Sequence, residues 1–383
     1  MTDVTEPTEH RRSTEQRTDR GEPSPVPPGG VSAPVSGLRK LASTLSFRNI
    51  SAIYVLAVIV IVFSIWVPST FLEFNTWRAM VSAQAVTALL SVGLVIALAS
   101  GAFDLSFGNT LGLGAIIVAW LLVDHGLGVV PAIALSILGG GLVGLANGLL
   151  VVKVKIDSFI ATLGVSSITL AVINWVSGSQ QILGLPKGLQ TLGTTQIAGF
   201  TLPVFLMLGV AAVVWYVLER TPAGRRVYAT GGNIEAARLA GVRTSLVVVV
   251  CLTACGAIAG FSGVLESAPL GTGDPTIGPP YLLPAFSAAF LGSTQFSGGR
   301  FNVWGTVLAV YVLATGTMGL QLAGAPTWIP NLFNGAALLL SVGLAKYQGG
   351  SHRTSAVRRL LRLDRAATAE SVQTKPQITP PAT

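Results

Sequence analysis

The sequence predicts an all-α membrane protein with about ten transmembrane helices, and three observations carry that reading. Of its 383 residues 51% are hydrophobic and only 10% charged, under half of the roughly 25% charged residues typical of a water-soluble globule. The apolar residues gather into ten runs between Asn49 and Ala345, each near the roughly 17 to 25 residues that cross the hydrocarbon core. The charged residues sit between those runs. Backbone amides in lipid have no water to bond, so each run is expected to be helical.

Taken in order, residues 1–48 are rich in Pro, Arg, Glu, Ser and Thr without apolar periodicity. Such a composition buries too little surface to offset chain entropy, and a disordered cytoplasmic tail is expected. A cleaved signal peptide would place its apolar core near the start; here the first apolar run begins only near Asn49 and is long enough to span, so an uncleaved anchor is expected. The transmembrane domain is 49–345, with runs at 49–67, 80–99, 107–123, 127–152, 158–177, 197–218, 244–265, 278–294, 303–323 and 329–345. The eighth run carries Pro279, Pro280 and Pro284, which leaves open a broken or re-entrant helix in place of a full span. Residues 346–383 form a basic cytoplasmic tail.

Lys and Arg placement orients the spans. With a cytoplasmic N-terminus, twenty-two of the 24 basic residues fall inside, leaving Arg78 and Lys187 outside. That is the asymmetry of the positive-inside rule, and it puts both termini in the cytoplasm. An even number of spans is better supported than any single boundary, because losing one would move a strongly basic segment across the membrane.

The same residues exclude several function classes. The net charge of +8 is dispersed between spans rather than gathered on one face, which argues against nucleic acid. Cys251 and Cys255 are four apart in an apolar run and read as small packing residues on one helix face. His10 and His352 lie in the tails and His125 in a connector, so no histidine pair offers a zinc site within a span. The spans hold no central Asp, Glu, Lys or Arg; Asp104 and Glu266 are placed at segment ends, where solvation is cheap. No Gly-Lys pair occurs, so the chain lacks a phosphate-binding loop of its own. Uphill transport would draw its energy from another polypeptide.

Polar residues recur inside the spans: Gln84, Asn147, Thr162, Ser166, Ser167, Asn174, Gln321 and Asn334, with Trp175 beside Asn174. Uncharged hydrogen-bonding groups and an aromatic face suit a neutral polyhydroxylated solute. On that basis Gln84, Asp104, Asn147, Ser166, Asn174, Trp175, Gln321 and Asn334 are the candidate substrate pathway. The competing reading for each is hydrogen bonding between packed helices. Gly140, Gly144 and Gly148 form a double G-x-x-x-G, and Gly108 with Gly112 and Gly256 with Gly260 form others. A chain this rich in glycine yields roughly 5 such pairs by chance, so the spacing supports close helix packing without fixing a dimer face.

The segment 219–245 is the longest polar stretch between spans. Gly231, Gly232 and Asn233 read as a turn and helix start, followed by a short helix-competent run from Ile234 to Ala240 that Gly241 ends. One reading is an interfacial helix resting on anionic lipid through Arg238 and Arg243. The other is a docking helix that inserts Ile234 and Leu239 into a partner's groove.

Four motifs, in order, resemble those of the permease subunits of ribose-type ABC sugar importers: "GAFDLSFG", "IDSFIATLGVSSI", "GRRVYATGGNIEAARLAGV" and "FLGSTQFSGGRFNVWGT". The resemblance covers about residues 80–347 and implies a type II importer-like permease in the bacterial inner membrane, not an enzyme. It gives the ATPase-coupling role to Gly231, Gly232, Asn233, Ile234, Glu235, Ala236, Ala237, Arg238, Leu239 and Gly241. It also implies a set of partners: cytoplasmic ATPases that use the ATP, a second permease copy or paralogue, and an extracytoplasmic sugar-binding protein. No cofactor is expected on this chain. The sequence departs from the family at Pro284, where relatives carry an acidic residue, at Ser293 in place of a Gly, and at Glu266. These departures bear on which monosaccharide, a ribose-like pentose or a hexose, is carried. The alternative function is an ion-coupled carrier or channel for a small neutral solute.

Overall fold

The computed structural model describes residues 51–296 and 300–343, a helical bundle. The expected tails 1–48 and 346–383 lie outside the described residues. Helix α1 is Ser51–Trp66, α2 Pro68–Phe71 and α3 Phe74–Ala83. After α4 (Ala85–Ala99) come α5 (Phe107–Val123), α6 (Val129–Leu149) and α7 (Ser158–Ser177). Then follow α8 (Lys187–Thr194), α9 (Leu202–Arg220), α10 (Pro222–Gly232), α11 (Ile234–Leu239) and α12 (Thr244–Leu270). The last three are α13 (Leu282–Phe296), α14 (Val303–Leu322) and α15 (Ile329–Gly343).

Each of the ten apolar runs contains a helix. Five helices are long and apolar enough to cross a membrane, or six if α3 and α4, bent by 41° at Gln84, make one span. Length and composition alone therefore do not establish ten crossings.

Helix α4 occupies the centre. All of its residues but Ile96 are buried, and α9, α12, α13 and α14 pack around it. A helix that is apolar all round belongs in such a position. Outer helices keep an apolar face exposed, among them Ile160, Leu163 and Ile168 of α7 and Val213 of α9, as a lipid-facing surface requires.

The glycine spacing of α6 and α12 closes on itself. Gly140 and Gly144 lie against the backbone of Leu252, Thr253, Gly256 and Gly260, and a Cβ on Gly140, Gly144 or Gly256 would strike the facing helix. The G-x-x-x-G pattern thus builds an intrachain crossing. Cys251 and Cys255 are buried, free thiols in the same helix.

An irregular stretch leads into the eighth run. After Gly271, at φ +66, Gly273 lies against Ala115 and Ala119 of α5, and Gly278 lies against Gly108. The chain thus travels back along roughly eleven residues of α5, about 16 Å, without helical backbone. A 3-10 turn at Pro279–Tyr281 then leads into α13, of only 15 residues. Irregular backbone at this depth is tolerated because it is packed on protein. Its first residues, Thr272–Gly273, pair antiparallel with Ile182–Leu183, and a second small hairpin joins Gln196–Ile197 to Phe200–Thr201.

Candidate functional site

Three regions carry most of the predicted residues. The first is the 219–245 segment, which forms two short helices rather than one. Gly231 and Gly232 are the last turn of α10, not the turn before α11 that their spacing suggested. Gly231 packs so closely on Ala99 and Gly101 at the end of α4 that a Cβ would collide with backbone; Gly232 faces open space. Asn233 starts α11: its Oδ1 accepts hydrogen bonds from the amides of Glu235 at 3.1 Å and Ala236 at 3.0 Å. Gly241, at φ +83, ends the helix in the left-handed conformation that a side chain resists. Glu235 and Arg238 pair at 2.9 Å one turn apart. Ala237 is buried beneath them, while Ile234 is 50% and Leu239 87% exposed. The helix therefore presents two apolar side chains and an ion pair outward.

Beside it lies a clamp that sequence reasoning missed. The Tyr228 hydroxyl on α10 donates to the carbonyl of Phe301 at 2.8 Å and lies 3.3 Å from Glu219 Oε1. The Arg300 guanidinium sits 3.5 Å from the centre of the Tyr228 ring and 3.7 Å from Glu219 Oε2. Burial, with the Glu219 carboxylate, pushes the phenol up to about 12, against the opposing pull of Arg300. Tyr228 and Arg300 both lie in the quoted motifs, but nothing local in either motif says that they meet.

The second region is polar and lies among the long helices. Asp104 is 1% exposed, which corrects its expected place at a solvated segment end. Its Oδ1 accepts from the amide and hydroxyl of Ser106 at 2.9 and 2.7 Å and from Asn147 Nδ2 at 3.4 Å. Asn147 Nδ2 also bonds Ser106 at 2.7 Å. Glu266 too lies within a helix, in the last turns of α12, half-buried beside Tyr281.

The motif around Asp104 is held by a stripe on α7. Ser158 accepts from the amide of Phe103 at 3.1 Å and Thr162 from that of Leu105 at 3.0 Å; Ser166 accepts from Asn109 Nδ2 at 2.9 Å. Residues spaced by four share one helix face, so "GAFDLSFG" and "IDSFIATLGVSSI" fasten to each other. Asn147, Thr162 and Ser166 thus hydrogen-bond groups on neighbouring segments.

Three pathway candidates meet elsewhere. Gln84, at the bend between α3 and α4, joins Gln321 of α14 and Asn334 of α15 around a cavity of about 500 Å³. Thr87, Tyr281 and Pro284 also line it, and among the described residues no charged side chain does. Asp104, Asn147, Ser166, Asn174 and Trp175 do not line this cavity. Trp175 is 82% exposed on the outer face of α7. Tyr281 and Thr87 were not selected from the sequence; Thr87 lies one helical turn from Gln84, whereas Tyr281 is brought there by the 3-10 turn Pro279–Tyr281.

Residues 78–342 match the family described as "Branched-chain amino acid transport system / permease component". The Ribose import permease protein RbsC of Bacillus subtilis (strain 168) is 33% identical over 75% of this chain and 89% of its own length. The D-allose transport system permease protein AlsC of Escherichia coli (strain K12) is 29% identical over 76% of this chain and 89% of its own. The Autoinducer 2 import system permease protein LsrD of Photorhabdus luminescens is 27% identical over 72% and 84%. No solved structure matches the chain. With a family match spanning most of the bundle and relatives aligned over nearly their whole length, the chain belongs to the branched-chain amino acid transport system permease family, and is a multi-pass membrane transport protein.

Proposed function

We propose that the chain is the membrane permease of an ATP-driven importer for a monosaccharide, a ribose-like pentose or a hexose. The observation that carries the substrate class is the cavity at Gln84, Gln321 and Asn334, whose amides offer donors and acceptors without charge. A sugar stripped of water needs such partners for its hydroxyls. An ion-coupled carrier would call for a charged side chain at the cavity wall, and no Asp, Glu, Lys, Arg or His among the described residues lines it. The names of the relatives, import permeases for ribose and D-allose, agree with this class.

The rest of the reading follows the 219–245 segment. The exposed helix α11 docks on a cytoplasmic ATPase, Gly231 transmits its movement to α4, Asn233 caps the helix, and the Glu235 and Arg238 charges face the ATPase. Two permease copies, or this chain and a paralogue, form the pathway with about ten spans each and both termini cytoplasmic. An extracytoplasmic binding protein delivers the sugar, and the permease itself binds neither nucleotide nor cofactor. The test is reconstitution in sealed vesicles with and without the ATPase and binding-protein partners. Accumulation of labelled monosaccharide is expected only with both partners and ATP. Accumulation by the chain alone, driven by an ion gradient, would overturn the proposal.

A further inference from the structure

A separate groove lies where α5, α6 and α7 meet, with a volume of about 620 Å³. Its walls are apolar, with Leu142 and Ala146 of α6 facing Ile168 and Val172 of α7. The hydroxyl of Thr169, also in the wall, is satisfied by the carbonyl of Val165 at 2.8 Å. Lys153 is the one charged residue in the lining. It belongs to a π-helical turn, Leu150–Val154, that extends α6, and Lys155 follows with φ +63. Such turns are rare and concentrate at functional positions.

Charge and position limit what can occupy this groove. With its π turn α6 is 26 residues long, about 39 Å, so Lys153 and Lys155 stand where an apolar run reaches the headgroup layer. Both are exposed, and among the described residues neither forms an ion pair. The nearest acid along the chain, Asp157, caps α7 by accepting from the amide of Phe159 at 2.9 Å. Helices α5, α6 and α7 contain no Asp or Glu. A second copy seated symmetrically on this face would therefore oppose lysine to lysine.

We propose that the groove is a binding site for one anionic phospholipid, its acyl chain lying along Ala146 and Ile168 and its phosphate held by Lys153 and Lys155. A basic pocket at the membrane boundary between spans recognises such headgroups, with roughly a fivefold gain in occupancy for each lysine near the surface. The test is native mass spectrometry of the full chain after exchange into phosphatidylglycerol or phosphatidylcholine micelles. Phosphatidylglycerol should be retained at least about tenfold better. The double variant K153A/K155A should bring retention down to the phosphatidylcholine level, and Ala146→Trp, which fills the groove, should lower retention of both lipids. If Ala146→Trp fails to yield folded protein, the lysine pair decides, since both side chains are exposed. Equal retention of the two lipids by the unmodified chain, or undiminished phosphatidylglycerol binding by the lysine variant, would overturn the site. So would disulfide-linked dimers of an Ala146→Cys variant in native membranes, which would put a second copy in the groove; the native thiols are buried and do not contribute.

Discussion

At the scale of single residues, Asn233 combines a small polar side chain with a backbone that starts a helix of only six residues. So short a helix cannot hold itself together. Removing the cap in Asn233→Ala should cost about 1 kcal/mol locally, read as faster hydrogen exchange at the Glu235 and Ala236 amides; unchanged exchange would contradict the capping role. The Glu235–Arg238 pair is mostly exposed and contributes little to stability. Reversing either charge should lower ATPase coupling while leaving membrane insertion intact. The double reversal E235K/R238E restores a pair on the same turn, yet should remain defective if the charges meet the ATPase. Normal uptake by all three variants would remove the segment from the coupling path.

Tyr228 gives a pH signature at the same scale. Its folded-state phenol ionises above the ordinary range of about 10, at about 12. The clamp is fully present below the ordinary value and is lost as pH rises from there through the folded value. The contribution of this group to thermal stability should thus be constant between pH 6 and 9 and decline above pH 10. Tyr228→Phe, which keeps the ring under Arg300 and loses the bond to Phe301, should cost about 1 kcal/mol and abolish that alkaline decline.

Among elements, the crossing of α6 and α12 is the closest approach built on glycine. Gly256→Val places a branched Cβ where the backbone of α6 already lies, an overpacking cost of about 1–3 kcal/mol. Gly209→Val on α9 meets no atom within contact distance and serves as the control. The first should lower the melting temperature and the monodisperse fraction in detergent, the second neither. Helix identity in this region was legible, since run lengths and glycine spacing are local properties. The partner of each glycine was not, because any G-x-x-x-G fits any other until the bundle is assembled. The stripe Ser158, Thr162 and Ser166 shows the same limit: the spacing of four reveals a shared face, whereas its bonds to Phe103, Leu105 and Asn109 reach across more than fifty residues.

For the molecule as a whole, the sequence by itself determined a helical, lipid-embedded chain, the ten apolar runs and the capped helix at Asn233. Those features follow from composition, from hydropathy over a single turn or span, and from one side chain bonding its own neighbouring amides. Tertiary structure decided which polar residues serve packing and which line a cavity. Gln84, Gln321 and Asn334 meet although they come from three separate runs, whereas Asp104, seemingly at a wetted end, is sealed among helices. It also decided that the chain turns back along α5 just before the proline-rich eighth run and that Tyr228 is clamped by Arg300. The physical reason is distance along the chain: a buried polar group must be satisfied by whatever the folded bundle brings to it, and those partners lie tens to hundreds of residues away.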